Sequence, residues 1–160
     1  MRVLVLADTH IPARASDLPA RVWEAAADAD AILHAGDVTD GWVLAALAQF
    51  APTYAVTGNC DDPAGARQPQ QRLLEWEGVR IGLVHGHLGR GRTTVERARS
   101  HFPDADVIVF GHSHEPLLTR DGRLLLLNPG SPTDRRRAPR ASFAWLQLSA
   151  GKVEAEHVFL

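Results

Sequence analysis

Seven residues at the ends of five apolar runs carry the chemistry open to this chain. They lie in Asp8-Thr9-His10, Gly36-Asp37, Gly58-Asn59, His85-Gly86-His87 and Gly111-His112-Ser113-His114. Asp8 and His10 are two apart, so in extended chain their side chains fall on one side and could grip one ion. His112 and His114 share that spacing, and neutral imidazole is a preferred ligand of divalent transition metals. Asp37 follows a glycine, its carboxylate is free to project, and its two oxygens could bridge two cations. Asn59 would add an amide oxygen, which makes sense only within a larger set, and His85 could close a second shell. Singly, each has an ordinary explanation as a turn former or a hydrogen-bonded core histidine. Five compatible endings together point to a two-metal hydrolytic site.

Such residues act together only if their strands are neighbours, and parallel strands would deliver all five tips to the same edge of a sheet. Arg2 to Ala7 reads as a buried parallel strand. Asp17 is placed to cap a helix over Ala20 to Ala29. A second strand, Ala31 to Ala35, runs into Gly36-Asp37. Asp40 is then placed to cap a helix from Trp42 to Phe50 with Val43, Leu44, Leu47 and Phe50 at helical spacing. Thr53 to Thr57 makes a third strand. Beyond it, Gln71 to Trp76 and Val79 to Val84 flank Glu77-Gly78 as a hairpin. Thr93 to His101 reads as a helix and Asp106 to Phe110 as a strand, and two more hairpins turn at Asp121-Gly122 and Ala150-Gly151. The second half is expected to be mostly antiparallel. The Pro-, Gly- and Gln-rich stretch from Asp61 to Gln70 is a long loop beside Asn59, where loops commonly shape a pocket.

At 160 residues the chain fits one domain, residues 1–160, with a core large enough to need no disulfide or structural metal. Cys60 is the only cysteine, which excludes an internal disulfide and a thiolate-rich metal site. The N-terminal apolar stretch is too short for a secretory core and no later run reaches the length of a membrane span, so a cytoplasmic protein without membrane attachment is expected. A formal net charge of −2 gives no general attraction to nucleic acid or anionic membranes.

Taken in order, Asp8-Thr9-His10, Gly36-Asp37, Gly58-Asn59-Cys60-Asp61, His85-Gly86-His87 and Gly111-His112-Ser113-His114 resemble the signature of calcineurin-like metallophosphoesterases. The match runs from Arg2 to about Ser131, and the size and the Asn-Cys-Asp tripeptide resemble the small prokaryotic YfcE-like phosphodiesterase branch. The resemblance implies an α/β fold, a four-layer α-β-β-α sandwich of two mixed sheets flanked by helices. It also implies two divalent metal ions per chain, one held by Asp8, His10, Asp37 and His114, the other by Asp37, Asn59, His85 and His112, with Asp37 bridging. A donor set of carboxylate, amide and imidazole suits Mn²⁺, Fe²⁺, Ni²⁺, Co²⁺ or Zn²⁺. Two such ions at a typical spacing of about 3.5–4 Å can hold a hydroxide for in-line attack on phosphorus. The implied activity is phosphodiester hydrolysis, with phosphomonoester hydrolysis as the closest rival and a retromer-subunit-like protein-binding scaffold as a rival of another class.

The chain departs from the pattern where many relatives place a histidine after the asparagine to protonate the leaving group. Here that position is Cys60, whose thiol, with an ordinary pKa near 8.5, is a poorer match at neutral pH. The catalytic candidates are therefore Asp37, Asn59, His87 as the alternative acid, and Cys60, which is equally explained as a small packing residue. His34 is expected to be a hydrogen-bonded core histidine, His101 to complement a helix dipole, and His157 has no assigned role. Asn128-Pro129-Gly130-Ser131 resembles a family turn near the site. The dense basic run Arg135-Arg136-Arg137 with Arg140, and Arg14 after His10, are either solvated loop or substrate contact. The expected partner is a small phosphodiester, cyclic nucleotides included. Stable nucleic-acid binding is not expected, and exposed apolar edges leave a homo-oligomer open.

Overall fold

The computed structural model describes residues 1–62 and 67–160, so the middle of the expected Asp61–Gln70 loop lies outside the described residues. Among the described residues, two five-stranded sheets form around apolar runs that are buried on both faces in the inner strands and half exposed at the edges. The first contains β1 (Arg2–Leu6), β2 (Ala31–His34), β3 (Thr53–Ala55), β9 (Ser142–Ser149) and β10 (Lys152–Phe159), in the order β10-β9-β1-β2-β3. The second contains β4 (Gln71–Trp76), β5 (Val79–Val84), β6 (Val107–Val109), β7 (Leu117–Asp121) and β8 (Leu124–Asn128), in the order β4-β5-β6-β8-β7. Three helices flank them: α1 (Ala20–Ala27), α2 (Trp42–Leu47) and α3 (Thr94–His101).

The period of two along each strand divides the core into layers. On β1, Val3 and Val5 face the second sheet, meeting Ile81, Leu83, Val107, Val109, Leu125 and Leu127. The alternate residues Leu4 and Leu6 face outward and are covered by Val22, Ala25 and Ala26 of α1 and by Val43 and Leu47 of α2. On the far side, Ala98 of α3 and Phe102 pack with Ile108, Phe110 and Leu126. Gly82 makes that approach possible, because a Cβ there would lie 2.5 Å from the Phe102 ring. The four-layer α-β-β-α sandwich is therefore present, with two helices on one side and a single one on the other.

Several local expectations are corrected. The five tips do not share one sheet: Asp8, Asp37 and Asn59 follow β1, β2 and β3, whereas His85 and His112 follow β5 and β6. The second half is less antiparallel than expected, since β6 runs parallel to both β5 and β8. A parallel pair needs a long crossover, and α3 supplies it between β5 and β6. Helix α1 stops at Ala27 and starts on Pro19, so Asp17 is too far upstream to cap it and accepts instead from the Trp23 indole at 3.2 Å. Helix α2 ends at Leu47, leaving Phe50 half exposed against Trp23, and its N-cap is Gly41, although Asp40 Oδ1 still accepts from Trp42 N–H at 3.2 Å. Strands β3 and β6 are shorter than expected because their ends turn into the site loops. The Glu77-Gly78 and Ala150-Gly151 turns take positive φ at both residues, which matches the twist of a tight hairpin. Among the described residues no helix is long and apolar enough to cross a membrane.

Candidate metal centre

The loops that leave β1, β2, β3, β5 and β6 meet at one end of the sandwich, and there the backbone departs from regular geometry. Asp8, His10, Asp37, His112 and His114 all have φ between 44° and 71°, the left-handed region that ordinary side chains avoid. Each such residue costs about 1–3 kcal/mol, so the surroundings must hold it. Asp8 N–H donates to Gly36 O and His10 N–H to Asp37 O, each at 3.0 Å, tying the first loop to the second. Gly58 must be glycine for the third to approach, because a Cβ would lie 2.1 Å from Asp37 Oδ1.

Asp8, Asp37, His85 and His114 each have one polar atom engaged by the protein and another turned inward. His112 N–H donates mainly to Asp8 Oδ2 at 2.9 Å and more weakly to Oδ1 at 3.3 Å, and Oδ1 is the oxygen that faces His10 and His114. Cys60 N–H donates to Asp37 Oδ1 at 2.8 Å, leaving Oδ2. His85 Nδ1–H donates to Ala35 O at 2.7 Å and His114 Nδ1–H to Asp134 O, so both present a bare Nε2 inward.

The inward atoms fall into two overlapping groups. In one, His10 Nε2 is 3.2 Å from His114 Nε2 and 3.9 Å from Asp8 Oδ1, and His114 Nε2 is 3.5 Å from Asp8 Oδ1. In the other, Asn59 Oδ1 lies 3.0 Å from both His85 Nε2 and His112 Nδ1. Asp37 Oδ2 belongs to both, at 3.5 Å from His10 Nε2 and 3.3 Å from His85 Nε2. Donors about 2.1 Å from a shared ion stand roughly 3.0–3.5 Å from one another, so the spacing fits divalent metal. The chemistry fits too. With Nδ1–H committed to Ala35, His85 Nε2 faces the oxygens of both Asn59 and Asp37, and a metal cation among them satisfies all three, as a proton on Nε2 does without it.

The electrostatics carry the same message. Burial raises the Asp8 carboxyl to about 7, against the opposing pull of His85. Burial would also raise Asp37, but its hydrogen bond with His85, the His85 charge and the Cys60 N–H carry it well below the ordinary carboxylate range. Burial pushes His85 down, and Asp37 and Asp8 more than reverse that. Burial holds His112 and His114 down to about 4, so their lone pairs are open to cations at neutral pH.

All seven residues expected as ligands therefore converge, and the two acid candidates flank them. Cys60 Sγ lies near His10 and Asp37, 3.4 Å from Asn59 Nδ2, and its thiol is raised by burial and by the Asp37 charge. The His87 ring stands 5.2 Å from that of His85 and 6.2 Å from that of His112, and its Nδ1 is buried without a hydrogen-bond partner among the described residues. His34 is a core histidine as expected, fully buried, accepting from Gly36 N–H at 3.2 Å and bonded through Nε2 to Thr9 Oγ1 at 3.1 Å. His101 does more than complement a dipole: it links Gln71 Oε1 at 2.6 Å and Leu88 O at 3.1 Å. His157 donates across the sheets to Asn128 O at 2.7 Å. The Asn128–Ser131 turn braces the site, with Asn128 Nδ2 donating to Gly111 O at 3.0 Å and Ser131 Oγ to Asp8 O at 2.8 Å.

Two residues escaped the sequence reading. Asp61 is buried, and its carboxylate accepts from Asp37 N–H at 2.9 Å, Gly58 N–H at 2.7 Å and Thr39 N–H at 2.7 Å. It joins the second and third loops. Its only sequence signal was its place in Asn-Cys-Asp, which carried no hint of what it binds. Asp134 acts through its main chain, as the acceptor that orients His114, and backbone roles leave no trace in side-chain type.

Asp61→Ala leaves three amides without their acceptor and is expected to cost at least about 2 kcal/mol of stability and to weaken metal uptake. Thermal unfolding and metal analysis of the purified variant check both. For the metal-free protein, pH gives a second test. Unfolded imidazoles take up protons near 6.5, whereas His112 and His114 in the fold resist until about 4 and His34 and His10 are also lowered by burial. Acidification from about 7 to 4 therefore favours the unfolded chain. Asp8, raised to about 7, and His85 act in the opposite sense, but fewer groups do so. The melting temperature of chelated protein should fall across that window, and a flat or rising profile would contradict the assignment of buried neutral imidazoles.

The calcineurin-like phosphoesterase superfamily domain matches this chain over residues 1–151. A probable metallophosphoesterase of Methanothermobacter thermautotrophicus is 41% identical over 157 residues, covering 98% of this chain and 91% of that protein. Among solved structures, a single mutant of Vps29 from Entamoeba histolytica superposes with a TM-score of 0.81 at 24% identity, over 100% of this chain and 99% of that one. A novel archaeal phosphodiesterase superposes with a TM-score of 0.76 at 18% identity, over 100% of both chains. At those identities the two structures speak for the fold alone, while the sequence match speaks for descent: this chain belongs to the calcineurin-like phosphoesterase superfamily.

Proposed function

We propose that this protein is a phosphodiesterase that works with two divalent cations, the first held by Asp8, His10, Asp37 and His114 and the second by Asp37, Asn59, His85 and His112. The observation that carries the reading is the set of lone pairs turned on one another, with Asp37 Oδ2 common to both groups at 3.3 and 3.5 Å. Bound there, the cations supply Lewis acidity, lowering the pKa of water toward about 7 and neutralising phosphoryl oxygens as charge builds on them. The protein's share is to hold the donors rigid and desolvated, which the amide bonds to Asp8 and Asp37 accomplish. Superfamily membership supports a metal-dependent hydrolase. The convergence of seven donors, with the sequence match to a probable metallophosphoesterase, favours the enzyme over a protein-binding scaffold, although Vps29 shares the fold and its Entamoeba histolytica form has been solved complexed with zinc.

Asp37→Ala is expected to leave at most one ion per chain by elemental analysis and to lower hydrolysis of bis(p-nitrophenyl) phosphate by at least about 100-fold. Full activity in that variant would refute the shared-ligand role. Faster hydrolysis of the p-nitrophenyl mono-ester by the unaltered protein would replace the diester reading with the phosphomonoesterase one. Fewer than two ions and no turnover with Mn²⁺, Ni²⁺ or Co²⁺ would favour the scaffold.

For the leaving group, the raised Cys60 thiol holds its proton too firmly at neutral pH. Burial and the His85 charge lower His87, so only a minority of it is protonated there. We assign the acid to His87, because its Nδ1 has no other partner among the described residues. A partly protonated acid suits leaving groups that need little help. His87→Ala should slow an alkyl diester about 100-fold and a p-nitrophenyl diester far less, while Cys60→Ala leaves that ratio unchanged. Equal losses on both substrates in His87→Ala would remove it as the acid.

A further inference from the structure

Within the basic run, Arg135 and Arg140 are tied to the backbone, whereas Arg136 meets a carboxylate. Arg135 Nη1 donates to Ala138 O at 2.8 Å, and Arg140 holds the Phe159 and Leu160 carbonyls at 3.3 Å. Arg136 differs. Its φ is 44°, strained for a side-chain-bearing residue, and its Nε lies 3.7 Å from Asp134 Oδ2. Arg14, in the loop after His10, brings its own Nε to 3.5 Å from the same oxygen. Arg14 N–H donates to His10 O at 2.8 Å, and Asp134 O accepts from His114 Nδ1–H, so both arms of the cluster are braced against candidate ligands.

Two guanidiniums share one carboxylate, which leaves a net positive charge at the rim. Neutralising Asp134 alone would take a single bidentate arginine. Here each approaches by one nitrogen, beyond hydrogen-bonding distance, and neither makes a side-chain hydrogen bond among the described residues. Their side chains are 62% and 46% exposed, so most of the five N–H donors on each face solvent. The cluster stands against the loops that carry His10 and His114, with donors in the planar fork that matches phosphate.

A phosphodiester carries one negative charge, and the metal site accounts for it. A receptor beside that site with unspent cationic donors calls for a second anion on the same molecule. We propose that Arg136 and Arg14 form a subsite for a terminal phosphate group, so that the preferred substrates are small phosphodiesters bearing an additional phosphate. This inference rests on the phosphodiesterase reading for its reaction but not for its binding.

The test compares the dinucleotide TpT with the same diester phosphorylated at its 5′ or 3′ end, pTpT and TpTp, on the metal-loaded protein. One phosphorylated form should show a kcat/KM about tenfold or more above TpT, the scale of one charge-assisted contact. The ratio should collapse toward 1 in Arg14→Ala/Arg136→Ala and survive in part in Arg136→Lys, with metal content and melting temperature as controls on folding. Equal kcat/KM on all three dinucleotides in the unaltered protein, or a ratio preserved in the double variant, would overturn the subsite. A second readout needs no turnover: thymidine 5′-phosphate added to chelated protein should shift the Nε–H resonances of Arg14 and Arg136. If it does while no dinucleotide is cleaved, the diesterase reading fails and the anion subsite stands. If neither resonance moves, the subsite is refuted.

Discussion

Two carboxylates, Asp8 and Asp37, are buried side by side at the junction of the two sheets, and much of this end of the molecule answers to that electrostatic constraint. Burial alone pushes both carboxyls up. The fold resolves the conflict asymmetrically: Asp37 stays ionised beneath His85 and the Cys60 amide, while Asp8 is pushed up to about 7. Around them, imidazoles that burial keeps neutral turn bare nitrogens toward the same space. An arrangement of lone pairs and partial negative charge in a desolvated pocket is a poor resting state by itself and a good one for cations.

That arrangement is maintained by backbone that would not hold its shape unaided. Five of the seven candidate ligands, Asp8, His10, Asp37, His112 and His114, sit at positive φ. Asp61 gathers three amides of the Asp37 and Gly58 loops, and Ser131 and Asn128 clamp the Asp8 and Gly111 carbonyls. The sheets contribute rigidity, since β1, β2 and β3 are mutually parallel and the first two are buried on both faces. The loops can therefore be strained without being loose, and strain localised on a rigid frame is how a site keeps its donors oriented before anything binds.

The parts of the site that were readable from sequence are the ones where side-chain type and local position suffice. Strand ends are local features, and a carboxylate, amide or imidazole at each of them declares its chemistry. The same holds for the Glu77-Gly78 turn and for His34 within an apolar run. One error was local and the other depended on distant chain. Asp17 matched a cap by residue type, but Pro19 set the start of α1. The assignment of all tips to one sheet failed because nothing local distinguishes β5 and β6, in a second sheet, from a continuation of the first.

What the sequence by itself determined is the donor set and the strand framework, since both follow from residue identity and short-range periodicity. Tertiary structure alone decided that His85 and His112 arrive from the opposite sheet to meet Asn59, that Asp61 is a clasp and that Asp134 works through its carbonyl. It also decided that Arg136 of the basic run shares the Asp134 carboxylate with Arg14. The physical reason is common to all four: each depends on where backbone amides, carbonyls and charges from remote segments come to lie. Pairing across such separations is set by packing of the whole core and is not encoded in any short stretch of chain.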